Sequence, residues 1–176
     1  MEKPSEVVLV PYDPAWPEQF ESIKQQLAVI FPAPNCTIEH IGSTAVPGLI
    51  AKPIIDIMLG APDLSDIESM QEALAKLDFH YVAEFTAAMP ERRYFVHPAR
   101  RPRDVHLHAV VHRGIFWRDH LQFRDSLRND DALAHAYTAL KGELADRFAH
   151  DSWAYADAKT AFIRAALNHA RMTAKQ

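Results

Sequence analysis

Ile54-Ile-Asp-Ile-Met-Leu59 is a dense apolar run with one acid inside it, closed by Pro53 on one side and Gly60-Ala-Pro62 on the other. A run this short with stops at both ends is a buried strand and not a helix. Cys36-Thr-Ile-Glu-His-Ile41 reads as a second strand, broken by Gly42-Ser43-Thr44. In Val105–Val111 the alternation is clean: Val105, Leu107, Ala109 and Val111 fall on one face, while Asp104, His106 and His108 fall on the other. These three segments are expected to lie side by side in a mixed sheet. Phe79–Val82 and Tyr94–Val96 add short strands, Val7–Val10 reads as an edge strand or extended lead-in, and Glu84–Glu91 gives no clear signal.

The helices separate from the strands along the chain. Asp13 reads as an N-cap with Pro14 at the first helical position, followed by a stripe of Trp16, Phe20, Ile23, Leu27 and Ile30 that ends at Pro32 and Pro34. Ser65 and Glu68 have capping-box spacing ahead of Ile67, Met70, Leu74 and Leu77. From Phe116 onward the pattern is helical, with one stripe through Leu133, Ala136, Tyr137, Leu140 and Leu144 and another through Tyr155, Ala158, Phe162, Ala166 and His169. Strands followed by helices define an α+β fold with a mainly helical C-terminal half. The chain of 176 residues contains no repeat or linker that would split it, so 1–176 is expected to be one domain.

Composition narrows the function classes. The net charge of −4 argues against nucleic acid as an obligate partner, but not against a small nucleotide that needs only a few cations. Cys36 is the single cysteine, which excludes an internal disulfide and a thiolate cluster. The N-terminus lacks a signal-peptide pattern and no apolar run has membrane-spanning length, so a cytoplasmic protein without a membrane partner is expected.

Three constellations carry chemistry. Gly42 allows a sharp turn after a strand, where backbone N–H groups and the Ser43 and Thr44 hydroxyls can hold phosphate oxygens. Asp56 then sits inside the next strand, where a charge is costly unless paired or bound to metal. The second is the face bearing Asp104, His106 and His108, which with Asp56 or His40 supplies candidate ligands for a divalent metal. Imidazole with carboxylate suits Zn, Mn, Fe or Ni better than Mg. The alternative for these histidines is hydrogen bonding to backbone or phosphate. The third is cationic: Lys52, Arg93, Arg124 and Lys159 are the candidate phosphate contacts, whereas Arg92, Arg128 and Lys141 read as solvated helix-face or loop charges.

The string His40-Ile-Gly-Ser-Thr-Ala-Val-Pro-Gly-Leu49 with Lys52-Pro-Ile-Ile-Asp-Ile57 closely resembles the GrpB family. The resemblance extends to Tyr12-Asp-Pro-Ala-Trp16, Arg93-Tyr-Phe95, His106-Leu-His108, Phe123–Arg128, Tyr137–Ala145 and Tyr155–Lys159, nearly the whole chain. That family is grouped with nucleotidyltransferase-like folds and sometimes occurs fused to dephospho-CoA kinase. The resemblance implies a nucleotidyltransferase-like core, a nucleotide or related phosphate ligand, catalytic roles for Ser43 and Asp56, and a divalent metal (Mg, Mn or Zn). Active nucleotidyltransferases carry a second carboxylate two residues after the first; here that position is Met58. Three functions therefore stay open: a metal-dependent nucleotidyltransferase, a non-catalytic module for a nucleotide or CoA-type ligand, and a His/Asp metal-dependent hydrolase.

Overall fold

The computed structural model describes residues 5–173; Met1 to Pro4, where the signal-peptide reading begins, lie outside the described residues. The chain enters as an extended lead-in. The Val7 N–H donates to the Ala149 carbonyl, and Val10 forms an isolated antiparallel bridge with Ala51. Helix α1 covers Trp16–Ile30 and buries Trp16, Phe20 and Leu27. Its cap is Ala15 and not Asp13: the Asp13 carboxylate accepts the Ala15 N–H at 2.8 Å, so it closes the turn just before the helix. Pro14 accordingly precedes the helix.

Five strands follow, β1 (Thr37–Ile41), β2 (Ile55–Ala61), β3 (His80–Tyr81), β4 (Arg92–His97) and β5 (Val105–Val111), in the spatial order β1-β2-β5-β4-β3. The pair β2–β5 is parallel and the others are antiparallel, so the sheet is mixed, and β1, β2 and β5 are the neighbouring strands expected from the sequence. Between β2 and β3 the helical stripe breaks at Met70 into α2 (Leu64–Ser69) and α3 (Gln71–Lys76). The capping box there is formed by Asp63 and Asp66, not Ser65 and Glu68. Asp63 accepts the Ser65 N–H at 2.8 Å and Asp66 accepts the Asp63 N–H at 3.3 Å. The segment without a clear signal contains α4 (Glu84–Ala88), and four helices close the chain: α5 (Ile115–Asn129), α6 (Asp131–Arg147), α7 (Ser152–Ala158) and α8 (Thr160–Thr173).

The two sheet faces have different fates because side chains alternate along each strand. On one face Ile55, Ile57, Leu59, Val105, Leu107, Ala109 and Phe95 pack against α1, Ile67 of α2 and Leu74 of α3. Each fully buried Leu or Ile there contributes roughly 2 kcal/mol. The other face is half covered. Met58, Ile41 and Val110 lie under Trp117 of α5, while Asp56, His106 and His108 remain facing a cavity beneath the C-terminal helices. Gly60 makes the α5 contact possible, since a Cβ there would fall 2.6 Å from the Trp117 ring. Among the described residues no helix is long and apolar enough to cross a membrane.

Candidate functional site

The cavity measures about 880 Å³, within the range of small-molecule sites. Gly42, Ser43, Thr44, Lys52, Asp56, His106, His108, Arg124 and Lys159 line it, so most of the residues singled out in the sequence converge there. Parallel pairing sets Asp56 opposite His106, and β4 places Tyr94 opposite His108. The turn after β1 is a short 3₁₀ helix, Ser43–Ala45, entered through Gly42 at φ 71°. Among the described residues the Ser43 and Thr44 amides donate to no protein acceptor.

Burial by itself would push the Asp56 carboxyl up, but the His106 and His108 imidazoles outweigh it and hold that carboxyl well below the usual carboxylate range. His106 Nδ1 lies 3.3 Å and His108 Nε2 3.7 Å from the same Asp56 oxygen. Burial also drops His108 to about 4, against the pull of Asp56. Arg92 Nη1 donates to His108 Nδ1 at 3.1 Å. A guanidinium only donates, so Nδ1 accepts and the proton of the neutral ring sits on Nε2, facing Asp56.

The cationic wall comes from three lysines. Lys141 is 1 % exposed; its ammonium donates to Ser43 Oγ at 3.0 Å and to the Ile50 carbonyl. Burial, with the charge of Lys159 added, lowers Lys141 to about 7. Burial and then Lys52 lower Lys159 to about 8. Burial lowers Lys52 as well, with Asp56 opposing. The Tyr155 ring centroid lies 4.3 Å from Lys159 Nζ and 5.8 Å from Lys52 Nζ. Among the described residues none of the three lysines forms an ion pair. Phe85, Met89, Tyr94 and Trp153 form an aromatic and apolar rim, with the Phe85 ring edge-on to Tyr94 and to Trp153.

Several expected residues sit elsewhere. Arg93 belongs to the opposite face of β4, where it pairs with Glu68 at 2.6 Å; the pleat gives the cavity Arg92 instead. Asp104 precedes β5 and contacts His97 at 2.9 Å on an exposed edge, so it does not join the histidine face. His40 lies behind the turn, stacked on Phe20 at 4.7 Å, with its Nε2 3.0 Å from Thr44 Oγ1. Thr44 donates onward to the Ile54 carbonyl, so His40 supplies the proton of their bond. Arg124 reaches the cavity wall, but its guanidinium donates to Glu39 at 2.8 Å, Asp125 at 2.7 Å and the His40 carbonyl at 3.0 Å, fastening β1 to α5. Arg124→Ala is expected to cost about 2–4 kcal/mol by leaving this partly buried cluster unpaired, read as a lowered urea midpoint. Lys141 and Arg92, read from the sequence as solvated charges, line the cavity instead. The signals were there: Lys141 follows Tyr137 by one helical turn on a buried stripe, and Arg92 shares strand parity with Tyr94.

A metal fits this arrangement only in part. Contacts of 3.3 and 3.7 Å around one Asp56 oxygen resemble the edges of a tetrahedral shell, about 3.3 Å for bonds near 2 Å. A metal-bound histidine, however, normally donates its second N–H to an acceptor, and here that position on His108 faces the donor Arg92. Among the described residues no three or more His, Cys, Asp and Glu side chains are grouped closely enough to hold an ion.

A mixed-sheet α+β protein with a cationic, aromatic-rimmed cavity on one sheet face is the class that fold and site define. Residues 6–169 match the model of the GrpB protein family, and the chain belongs to that family. It is 31 % identical to the glutamate-rich protein GrpB of Alkalihalophilus pseudofirmus, over 93 % of this chain and 95 % of that one. The conserved protein GrpB from Enterococcus faecalis has a crystal structure that superposes with a TM-score of 0.85 at 33 % identity, covering 96 % of this chain and all of that one. A dephospho-CoA kinase of Mycolicibacterium paratuberculosis is 29 % identical over 93 % of this chain, which spans 46 % of that enzyme.

Proposed function

We propose that the cavity binds a nucleotide or closely related phosphate ligand, with its phosphates on the Gly42–Thr44 turn and its ring at the aromatic rim. The observation that carries this reading is the gathering of Lys52, Lys141 and Lys159 in one cavity with that turn, Lys141 touching Ser43, in a desolvated wall that, among the described residues, holds no ion-paired partner for them. Like charges gathered at such a cost are stabilised by an anion. A buried Arg92 Nε without a protein partner supports the same conclusion. The turn followed by a strand acid resembles the nucleotidyltransferase core, but Met58 argues against two-metal nucleotidyl transfer. It is fully buried with Ile41, Val110 and Trp117, so a carboxylate there would face an apolar contact and not the cavity. A divalent cation enters this reading as an ion carried on the ligand's phosphates (Mg or Mn) and met by Asp56.

Calorimetric titration with a nucleoside triphosphate tests the reading. The lysine charges that bind phosphate disappear as pH rises through about 7 for Lys141 and about 8 for Lys159. Affinity is therefore expected to fall about tenfold or more between roughly pH 7 and 9, and Lys159→Met should weaken binding by a similar factor. Absence of binding and of any rise in melting temperature with nucleotides or inorganic triphosphate would sink it.

A further inference from the structure

We propose that Ser43 is a nucleophile, with Lys141 as its general base, and that it takes a phosphoryl group from the bound ligand as a covalent serine ester. The inference rests on the phosphate reading of the cavity and adds a reaction to it. Ser43 opens the 3₁₀ turn immediately after the positive-φ Gly42, and its side chain lies on the cavity wall. Lys141 Nζ is 3.0 Å from Ser43 Oγ and is fixed from the other side by the Ile50 carbonyl, so its nitrogen is aimed at one hydroxyl. Tyr137 lines the same cavity, is 4 % exposed, and holds its ring 5.0 Å from Lys141 Nζ. Burial pushes the Tyr137 phenol up, so it stays protonated and does not compete for the serine proton.

A simple tie between a turn and a helix has no need of an ionisable group in so dry a place. With Lys141 lowered to about 7, a large share of the side chain is a neutral amine at neutral pH. Loss of one proton leaves a lone pair facing Oγ, and the hydrogen bond reverses. In the step, Oγ forms a bond to the terminal phosphorus of a phosphoanhydride, and its proton passes to Lys141 Nζ, which becomes an ammonium. The bridging P–O bond breaks with its electron pair going to the departing phosphate. The products are phosphoserine and a ligand one phosphoryl shorter. Lys52 and Lys159 supply positive charge to the same cavity.

A fluorophosphonate probe reports this chemistry without a known substrate, because Oγ replaces fluoride at phosphorus. Intact mass and peptide mapping of the full chain are expected to show one adduct, on Ser43, and none in Ser43→Ala. Lys141→Arg and Lys141→Met should label at least about a hundredfold more slowly, the scale of a lost general base. Triphosphate binding, measured in parallel on unlabelled wild-type protein, keeps the two readings apart. A protein that binds triphosphate but gives no adduct, or an adduct on another residue, overturns the nucleophile and leaves the pocket standing. Equal labelling rates in folded Lys141 variants overturn the base. If neither variant folds, the residue labelled in the wild type still decides whether Ser43 is the nucleophile.

Discussion

Gly42→Ala should cost roughly 3 kcal/mol or more of folding stability and remove the phosphate site at the same time. Two terms add. Gly42 has φ 71° and ψ −172°, a conformation that side chains resist, at a cost of about 1–3 kcal/mol. The new Cβ would also stand 2.3 Å from Asp56 Oδ2 and 2.9 Å from Asp56 Cβ. Asp56 has little room to give way: its backbone is paired on both edges of β2, and its carboxylate is held beside His106 and His108. Gly48 provides the control, because its φ is 78° but a Cβ there meets nothing within 4 Å. Urea denaturation of the two alanine variants should differ by about 2 kcal/mol, Gly42→Ala being the worse. Equal losses would mean that only backbone strain matters at Gly42 and that the turn is not locked onto Asp56.

That contact also shows how far the sequence could be read. The neighbouring β1, β2 and β5 were legible because hydrophobic period and turn residues act locally, and the acid stranded among apolar residues marked the site. The rest depended on effects that no local pattern encodes. Charged residues near one another in sequence, Arg92 and Arg93, differ only in strand parity, and the start of β4 at Arg92 fixed which one meets the cavity. Asp104 alternates correctly with His106 and His108, yet the strand begins one residue later, and the acid is drawn to His97 across the sheet edge. Lys141 looked like a surface charge because lysine usually is one. Its burial follows from α6 packing on the segment after β1, where Tyr137 meets Val46 and Leu49 and Lys141 reaches Ser43, a long-range arrangement. Asp63 took the capping role from Ser65 because the helix starts at Leu64, a boundary that periodicity locates only to within a few residues.

The steepest change in stability is expected between about pH 6.5 and 4, and it should come from two imidazoles. Burial lowers His40 to about 4, with Arg128 and Arg124 assisting against Asp56, and it lowers His108 to about 4 as well. Unfolded, both rings titrate near 6.5. As pH falls through that value the unfolded chain takes up two protons that the native protein refuses, so unfolding gains free energy. The stability these groups confer is complete above about 6.5, declines through the window, and is gone below about 4. Each ring accounts for roughly 3 kcal/mol, and the combined slope near pH 5 is about 2.7 kcal/mol per pH unit. Asp56 acts in a separate window: its carboxyl is depressed, so its contribution persists above the unfolded value near 3.8 and falls away only at lower pH. Lys141 and Lys159 change charge above about 7, outside this range on the other side. Urea midpoints at about pH 7, 6 and 5 read the slope directly. His40→Gln, which keeps an N–H donor for Thr44 but does not titrate, should halve it. An unchanged slope in that variant would place the acid sensitivity in other groups, and a flat wild-type profile would mean that both rings take up protons in the folded protein as readily as in the unfolded chain.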